Sequence, residues 1–157
     1  MRADLDLKAS HTPGARLLLV AAPYYPAVTQ ALIAGAAKAI AAAEATYDLL
    51  LAPGAFEIPP AIAMTAKARP GAYEGFVALG CVVRGETSHY DYVCGESARA
   101  LMDLGLHHSL AIGYGILTVE NLQQAEARSA PDRNKGEEAA VACLALIALK
   151  RANAGGR

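Results

Sequence analysis

A chain of 157 residues with 14 basic and 15 acidic side chains has a net charge near −1. That balance excludes the electrostatic footprint of a nucleic-acid binder or of a protein drawn to an anionic membrane surface. Hydrophobic residues make up 54% and charged residues only 18%; a single small domain would struggle to hide such an apolar, alanine-dominated excess, so subunit interfaces are expected.

No uninterrupted apolar run approaches the roughly 18 to 20 residues needed to span a bilayer. The start "MRADLDLKASH" is too acidic and polar for a secretory signal, and the chain reads as cytoplasmic. Cys81, Cys94 and Cys143 form neither an even disulfide set nor a metal-binding spacing, so free thiols and no metal are expected.

In chain order, "ARLLLVAA" (15 to 22) predicts a strand buried on both faces, ending at Pro23. Residues 27 to 45 predict an amphipathic helix with Leu32, Ile33, Ala36 and Ile40 at helical spacing. "YDLLLA" (47 to 52) predicts a second buried strand stopped by Pro53 and Gly54, and 59 to 69 a helix with prolines in its first turn. "GFVALGCVV" (75 to 83) predicts a third strand, leading through "RGETSH" into a helix that runs to about residue 106. "SLAIGYGIL" (109 to 117) predicts a fourth strand, "TVEN" a helix start with Thr118 as cap, and 137 to 152 a last helix after the polar break "SAPDRNKG". Residues 1 to 14 and 152 to 157 are expected to be flexible.

Strand and helix alternate four times, which predicts a single α/β domain with a parallel sheet covered by helices on both faces. Ligands of such sheets sit beyond the carboxyl ends of the strands, so the loops at 22 to 26, 52 to 58, 81 to 89 and 113 to 119 are the candidate site. In the third loop, the backbone N–H groups of Gly85, Glu86 and Thr87 stand at a helix N-terminus, either as an anion pocket or as a simple cap by Thr87 or Ser88. His89 follows in the first turn, and imidazoles exchange protons near neutral pH. Cys94 lies five residues further on, a spacing that splays it away from His89 and favours a structural thiol. Gly54 in "PGAFEIPP" permits unusual dihedrals on a tight turn carrying Phe56 and Glu57, whose carboxylate could accept from a polyhydroxyl substrate or be merely solvated. Tyr24 and Tyr25 are either surface aromatics or a stacking platform. Arg128, with Lys135 beyond it, is either a surface charge or a phosphate clamp. No glycine-rich nucleotide signature follows the first strand.

The ordered set "PGAFEIP", "LGCVVRGETSHYDYVCGES", "GILTVENLQQAEAR" and "NKGEEAA" resembles the 6,7-dimethyl-8-ribityllumazine synthases over residues 16 to 150. The resemblance implies a three-layer α/β/α fold, flavodoxin-like, with a four-stranded parallel sheet. It implies a transferase that condenses 5-amino-6-(D-ribitylamino)uracil with 3,4-dihydroxy-2-butanone 4-phosphate, the penultimate step of riboflavin biosynthesis, with no metal or organic cofactor. By similarity Tyr24 stacks on the pyrimidine, while Ala55, Phe56 and Glu57 hold the ribityl chain and ring. Cys81, Val82 and Val83 present backbone groups to the uracil edge. Gly85, Glu86 and Thr87 form the phosphate turn, Arg128 clamps the same phosphate, and His89 transfers protons. Tyr114 reaches the ring from a neighbouring subunit and Lys135 lies beside the site. The implied partners are the two small substrates and four further copies of the chain, in a pentamer with intersubunit sites that stands free or builds a larger shell. Tyr25 and Pro26, and the short "SAPDRN" break, depart from the family pattern. Two competing readings are a non-catalytic lumazine- or flavin-binding protein on the same scaffold and a Cys94/His89 acyl-transfer enzyme.

Overall fold

In the computed structural model, which describes residues 9–155, the apolar runs become the strands β1 (Arg16–Ala21), β2 (Thr46–Leu51), β3 (Gly75–Val83) and β4 (Ala111–Val119). The helices are α1 (Pro26–Ala42), α2 (Ile58–Ala68), α3 (His89–His108), α4 (Leu122–Ser129) and α5 (Lys135–Gly155), with a single 3-10 turn at Ala55–Glu57 before α2. All strand pairings are parallel and the order is β2-β1-β3-β4. This order is that of a flavodoxin-like doubly wound sheet.

Side chains alternate across the central strands, and the two faces build two cores. Leu17 and Leu19 of β1 and Val77 and Leu79 of β3 pack against Leu32, Ala36 and Ile40 of α1 and Leu144 and Ile147 of α5. Leu18, Val20, Phe76 and Ala78 face the other way, against Ile58 and Ile62 of α2 and Val93 and Leu101 of α3. The three-layer α/β/α architecture follows from strands apolar on both faces.

Four expectations need correction. β2 is an edge strand rather than a buried one, and its leucines are open, Leu51 being 59% exposed. Nothing in "YDLLLA" marks it as an edge, because edge position is a property of strand order. Thr118 does not cap a helix: it lies within β4, and α4 begins after Asn121, whose side chain accepts from the Gln124 N–H at 2.9 Å. The last helix starts at Lys135 and continues through Gly155, beyond the expected loose tail. Gly54 has φ −156° and ψ 173°, an ordinary extended geometry. Its lack of a side chain instead leaves room for Glu57, whose Oε2 would lie 3.0 Å from an added Cβ. Of residues 1 to 14, the first eight fall outside the described residues, while Thr12 and Gly14 donate backbone hydrogen bonds to Ala43 and Glu44.

Asn134 locks the start of α5. Its Nδ2 donates to the carbonyls of Ala31 (2.8 Å) and Ser129 (2.9 Å), and its Oδ1 accepts from the Glu137 N–H at 3.1 Å. One buried amide thus ties α1, the end of α4 and the first turn of α5 together. Asn134→Ala is expected to cost about 2 kcal/mol, since the cap goes and the part-buried Ala31 and buried Ser129 carbonyls each lose a donor. Asn134→Asp should be no better, because it restores the cap but sets an anion against those carbonyls. Urea midpoints for the two variants are the measurement, and an Asp variant as stable as wild type would contradict the arrangement.

Candidate active site

The chain leaves β1 for α1 on one face of the sheet and leaves β3 for α3 on the other. A crevice opens where adjacent strands send their chains in opposite directions, and that is where ligands of open α/β sheets bind. Here the crevice is a cleft of about 530 Å³ over the carboxyl ends of β1 and β3.

Three loops wall it. Beyond β1 stand Tyr24, 72% exposed, and Tyr25, their rings edge to face at 5.2 Å between centroids. The loop beneath them is held by Thr29, whose hydroxyl donates to the Ala22 carbonyl at 3.1 Å, and Pro26 opens α1. Beyond β2, the 3-10 turn presents Ala55, Phe56 and Glu57 to the cleft, with Phe56 largely exposed and Ala55 buried. The end of β3 supplies Cys81, Val82 and Val83. Gly85 and His89 close the side next to α3, and Val93, one helical turn after His89, completes the floor. Val93 was absent from the expected set, although its i,i+4 relation to His89 on a helix was available from the sequence.

Glu86 and Thr87 lie in the turn between Gly85 and His89, exposed but not lining the cleft itself. Thr87 Oγ1 accepts from the His89 backbone N–H at 3.4 Å, and Ser88, the residue before α3, makes no side-chain cap. Tyr114, Arg128 and Lys135 do not line this chain's cleft. Tyr114 sits on β4 opposite Ala78, on the α3 face of the sheet, 44% exposed; partial burial beside α3 raises its phenol above the ordinary range, opposed by a hydrogen bond to Ser97. Arg128 lies in the last turn of α4, its Nη1 donating to the Gln124 carbonyl at 3.1 Å, and Lys135 Nζ pairs with Glu138 at 2.6 Å.

Arg84 went unassigned in the sequence. It stands one residue before the turn, its Nε on Glu120 at 2.7 Å, its Nη1 on Asp91 at 3.3 Å and its guanidinium 4.2 Å from the centre of the Tyr90 ring.

Burial disfavours the thiolate at all three cysteines. Burial pushes Cys81 up to about 11 and Cys143 up to about 12. Cys94 is also raised by burial, bonds to Tyr90 and does not line the cleft. His89 and Cys94 both lie on α3, but only His89 lines the cleft, so the acyl-transfer reading lacks a nucleophile there. At pH 8 Cys81 and Cys143 remain protonated in the folded protein, so iodoacetamide should leave them unmodified over a time that fully alkylates the urea-unfolded chain, read by intact mass. Rapid modification of either would contradict this burial. Among the described residues no group of three or more His, Cys, Asp or Glu side chains could hold a metal ion, and no helix is long and apolar enough to cross a membrane.

The family model for 6,7-dimethyl-8-ribityllumazine synthase matches residues 14–151. The chain is 54% identical to the 6,7-dimethyl-8-ribityllumazine synthase of Bartonella henselae over 136 residues, 86% of this chain and 88% of that one. It is 53% identical over 145 residues to the protein of the same name from Methylobacterium radiotolerans, covering 92% and 87% of the two chains. With that of Afipia carboxidovorans it shares 50% identity over 154 residues, 96% and 94% of the two. Matched along almost its whole length, and with its cleft at the switch point of the sheet, the chain belongs to the 6,7-dimethyl-8-ribityllumazine synthase family.

Proposed function

We propose that this protein is a transferase that condenses 5-amino-6-(D-ribitylamino)uracil with 3,4-dihydroxy-2-butanone 4-phosphate to 6,7-dimethyl-8-ribityllumazine, releasing phosphate and water in the penultimate step of riboflavin biosynthesis. The observation that carries the reading is one cleft in a chain of this family that combines exposed aromatics, a carboxylate and a histidine beside a glycine turn. Tyr24 and Phe56 offer flat apolar surface to a pyrimidine, and Glu57 offers acceptors to ribityl hydroxyls. The Gly85–Thr87 turn, at the N-terminal end of the 20-residue helix α3, offers N–H groups and a partial positive charge to a phosphate.

The chemistry needs little beyond positioning and proton movement. The substrate amine adds to the ketone and loses water to give an imine. A proton is lost, phosphate leaves by elimination, and the ring closes with loss of a second water. Holding both reactants in one pocket makes the encounter effectively unimolecular. His89 is the proton carrier, and no metal or organic cofactor takes part.

The working unit in this reading is a cytoplasmic homopentamer with intersubunit sites. Tyr114 lies off the chain's own cleft, as expected of a group that serves a neighbour's cleft, and Arg128 and Lys135, which lie off it too, are assigned to a neighbour's cleft in the same way. Leu51, Tyr92, Met102 and Leu106 leave apolar surface for a partner to cover. Light scattering should give about 80 kDa, five chains of 16.2 kDa, or a multiple of it for a shell. The decisive experiment mixes the two substrates with purified protein and follows lumazine absorbance and fluorescence. Tight binding of lumazine or flavin with no product formed would overturn the enzyme reading in favour of a binding protein.

A further inference from the structure

We infer that Arg84 is a positioning residue: its guanidinium, gripped by Glu120, Asp91 and the Tyr90 ring, fixes the Gly85–Thr87 turn and His89 in working register. The inference rests on the function proposed above.

The turn has little to hold it from within. Residues 84 to 88 belong to no strand or helix and are exposed. Ser88 makes no side-chain cap, the Thr87–His89 hydrogen bond is long at 3.4 Å, and the space where a Gly85 side chain would project is empty. The firm local bond is Asp91 N–H to the Ser88 carbonyl at 3.0 Å.

Arg84 supplies the missing restraint from outside. Its backbone N–H donates to the Val119 carbonyl at 2.9 Å, prolonging the β3–β4 ladder by one residue. From that anchored position the side chain makes three contacts with two elements. Nε reaches Glu120 just past β4, Nη1 reaches Asp91 in the first turn of α3, and the guanidinium lies over Tyr90. Tyr90 and Asp91 are the two residues directly after His89, so the grip closes a loop from the end of β3 to the base of the imidazole. Hydrogen bonding links Tyr90 onward to Thr118 of β4 and Cys94 of α3. A planar fork that satisfies two carboxylates and a ring at once is arginine chemistry that lysine does not reproduce.

Exposed ion pairs contribute little to global stability, and these side chains are between 42% and 61% exposed. Geometry is the more sensitive quantity, since a displacement of about 1 Å in a reacting group can cost roughly a hundredfold in rate. The contacts should therefore register in turnover far more than in melting temperature.

The test compares Arg84→Ala, Arg84→Lys and the double variant Asp91→Asn/Glu120→Gln, which keeps the Arg84 charge but removes its ionic partners. We expect kcat to fall about tenfold to a hundredfold in Arg84→Ala and at least fivefold in the other two, with KM for the ribitylaminouracil within about twofold of wild type. Amide hydrogen exchange at residues 84 and 91, the hydrogen-bonded amides that bracket the turn, should quicken about tenfold in all three, with the cores unchanged. Full turnover in Arg84→Lys, or in the double variant, would reduce Arg84 to a bare positive charge and overturn the inference. So would unaltered exchange at these two amides. A wild-type protein that makes no lumazine sinks the proposed function instead, and the exchange measurement still decides whether Arg84 holds the turn.

Discussion

His89→Ala is expected to lower kcat by about 10² to 10⁴-fold, the range contributed by a positioned proton-transfer group, while leaving the fold intact. The imidazole is exposed, it lines the cleft, and its removal opens no cavity in either core. In the roles proposed above, both reactants should still bind, because Tyr24, Phe56, Glu57 and the Gly85–Thr87 turn are untouched; what is lost is the group proposed to take the proton released before phosphate departs. KM for each substrate should therefore stay within a few fold. Arg128→Ala makes the informative contrast. An arginine that clamps the phosphate contributes to binding, so its loss should raise KM for the butanone phosphate more than it lowers kcat. Wild-type kcat in His89→Ala would remove the histidine from the mechanism, and identical kinetic signatures in the two variants would dissolve the division of labour.

The largest effect on stability is expected at Gly113. This buried glycine of β4 faces α5 so closely that an added Cβ would collide with the Ala139 carbonyl oxygen and lie 3.2 Å from the Cys143 Cβ. The obstruction is helix backbone, and no side-chain rotation relieves it. α5 would have to lift off the sheet and loosen Ala139, Ala140, Cys143 and Leu144, which are all buried there. Overpacking of this kind costs about 3 kcal/mol, which for a chain of this length lowers Tm by about 6 to 12 °C. Gly95→Ala is the matched control. Gly95 lies within α3 with nothing near its would-be Cβ, so alanine should be neutral or stabilising by roughly 0.5–1 kcal/mol. Equal melting temperatures for the two variants would mean that α5 does not sit where it is described.

Much of the site was legible one loop at a time. The polar stretch after "GFVALGCVV" and the "AFE" after "YDLLLA" each announce themselves, because an apolar run must end before such residues appear. Gly85, His89, Phe56, Glu57, Tyr24 and the end of β3 do meet at one cleft. Val93 could have been found from its i,i+4 relation to His89, but Arg84 could not, because its importance lies in what it touches. Nothing in "VVRGET" tells that the arginine will turn toward Glu120, 36 residues away. Asn134 escaped in the same way, since "NKG" carries no mark of the Ala31 carbonyl that its amide meets across 103 residues.

By itself the sequence determined which segments become strands and most of the helices, that the central strands are buried on both faces, and that the cleft lies at the loops after the strands. Those properties are local, set by residue periodicity, prolines and glycines within a few positions. Only the tertiary structure decided the strand order β2-β1-β3-β4. That order turned an apolar "YDLLLA" into an exposed edge and put the cleft between the ends of β1 and β3. It also left Tyr114 and Arg128 outside their own chain's cleft. Order and pairing arise from contacts between residues far apart in the chain, and no short stretch of sequence encodes which of its neighbours in space will arrive.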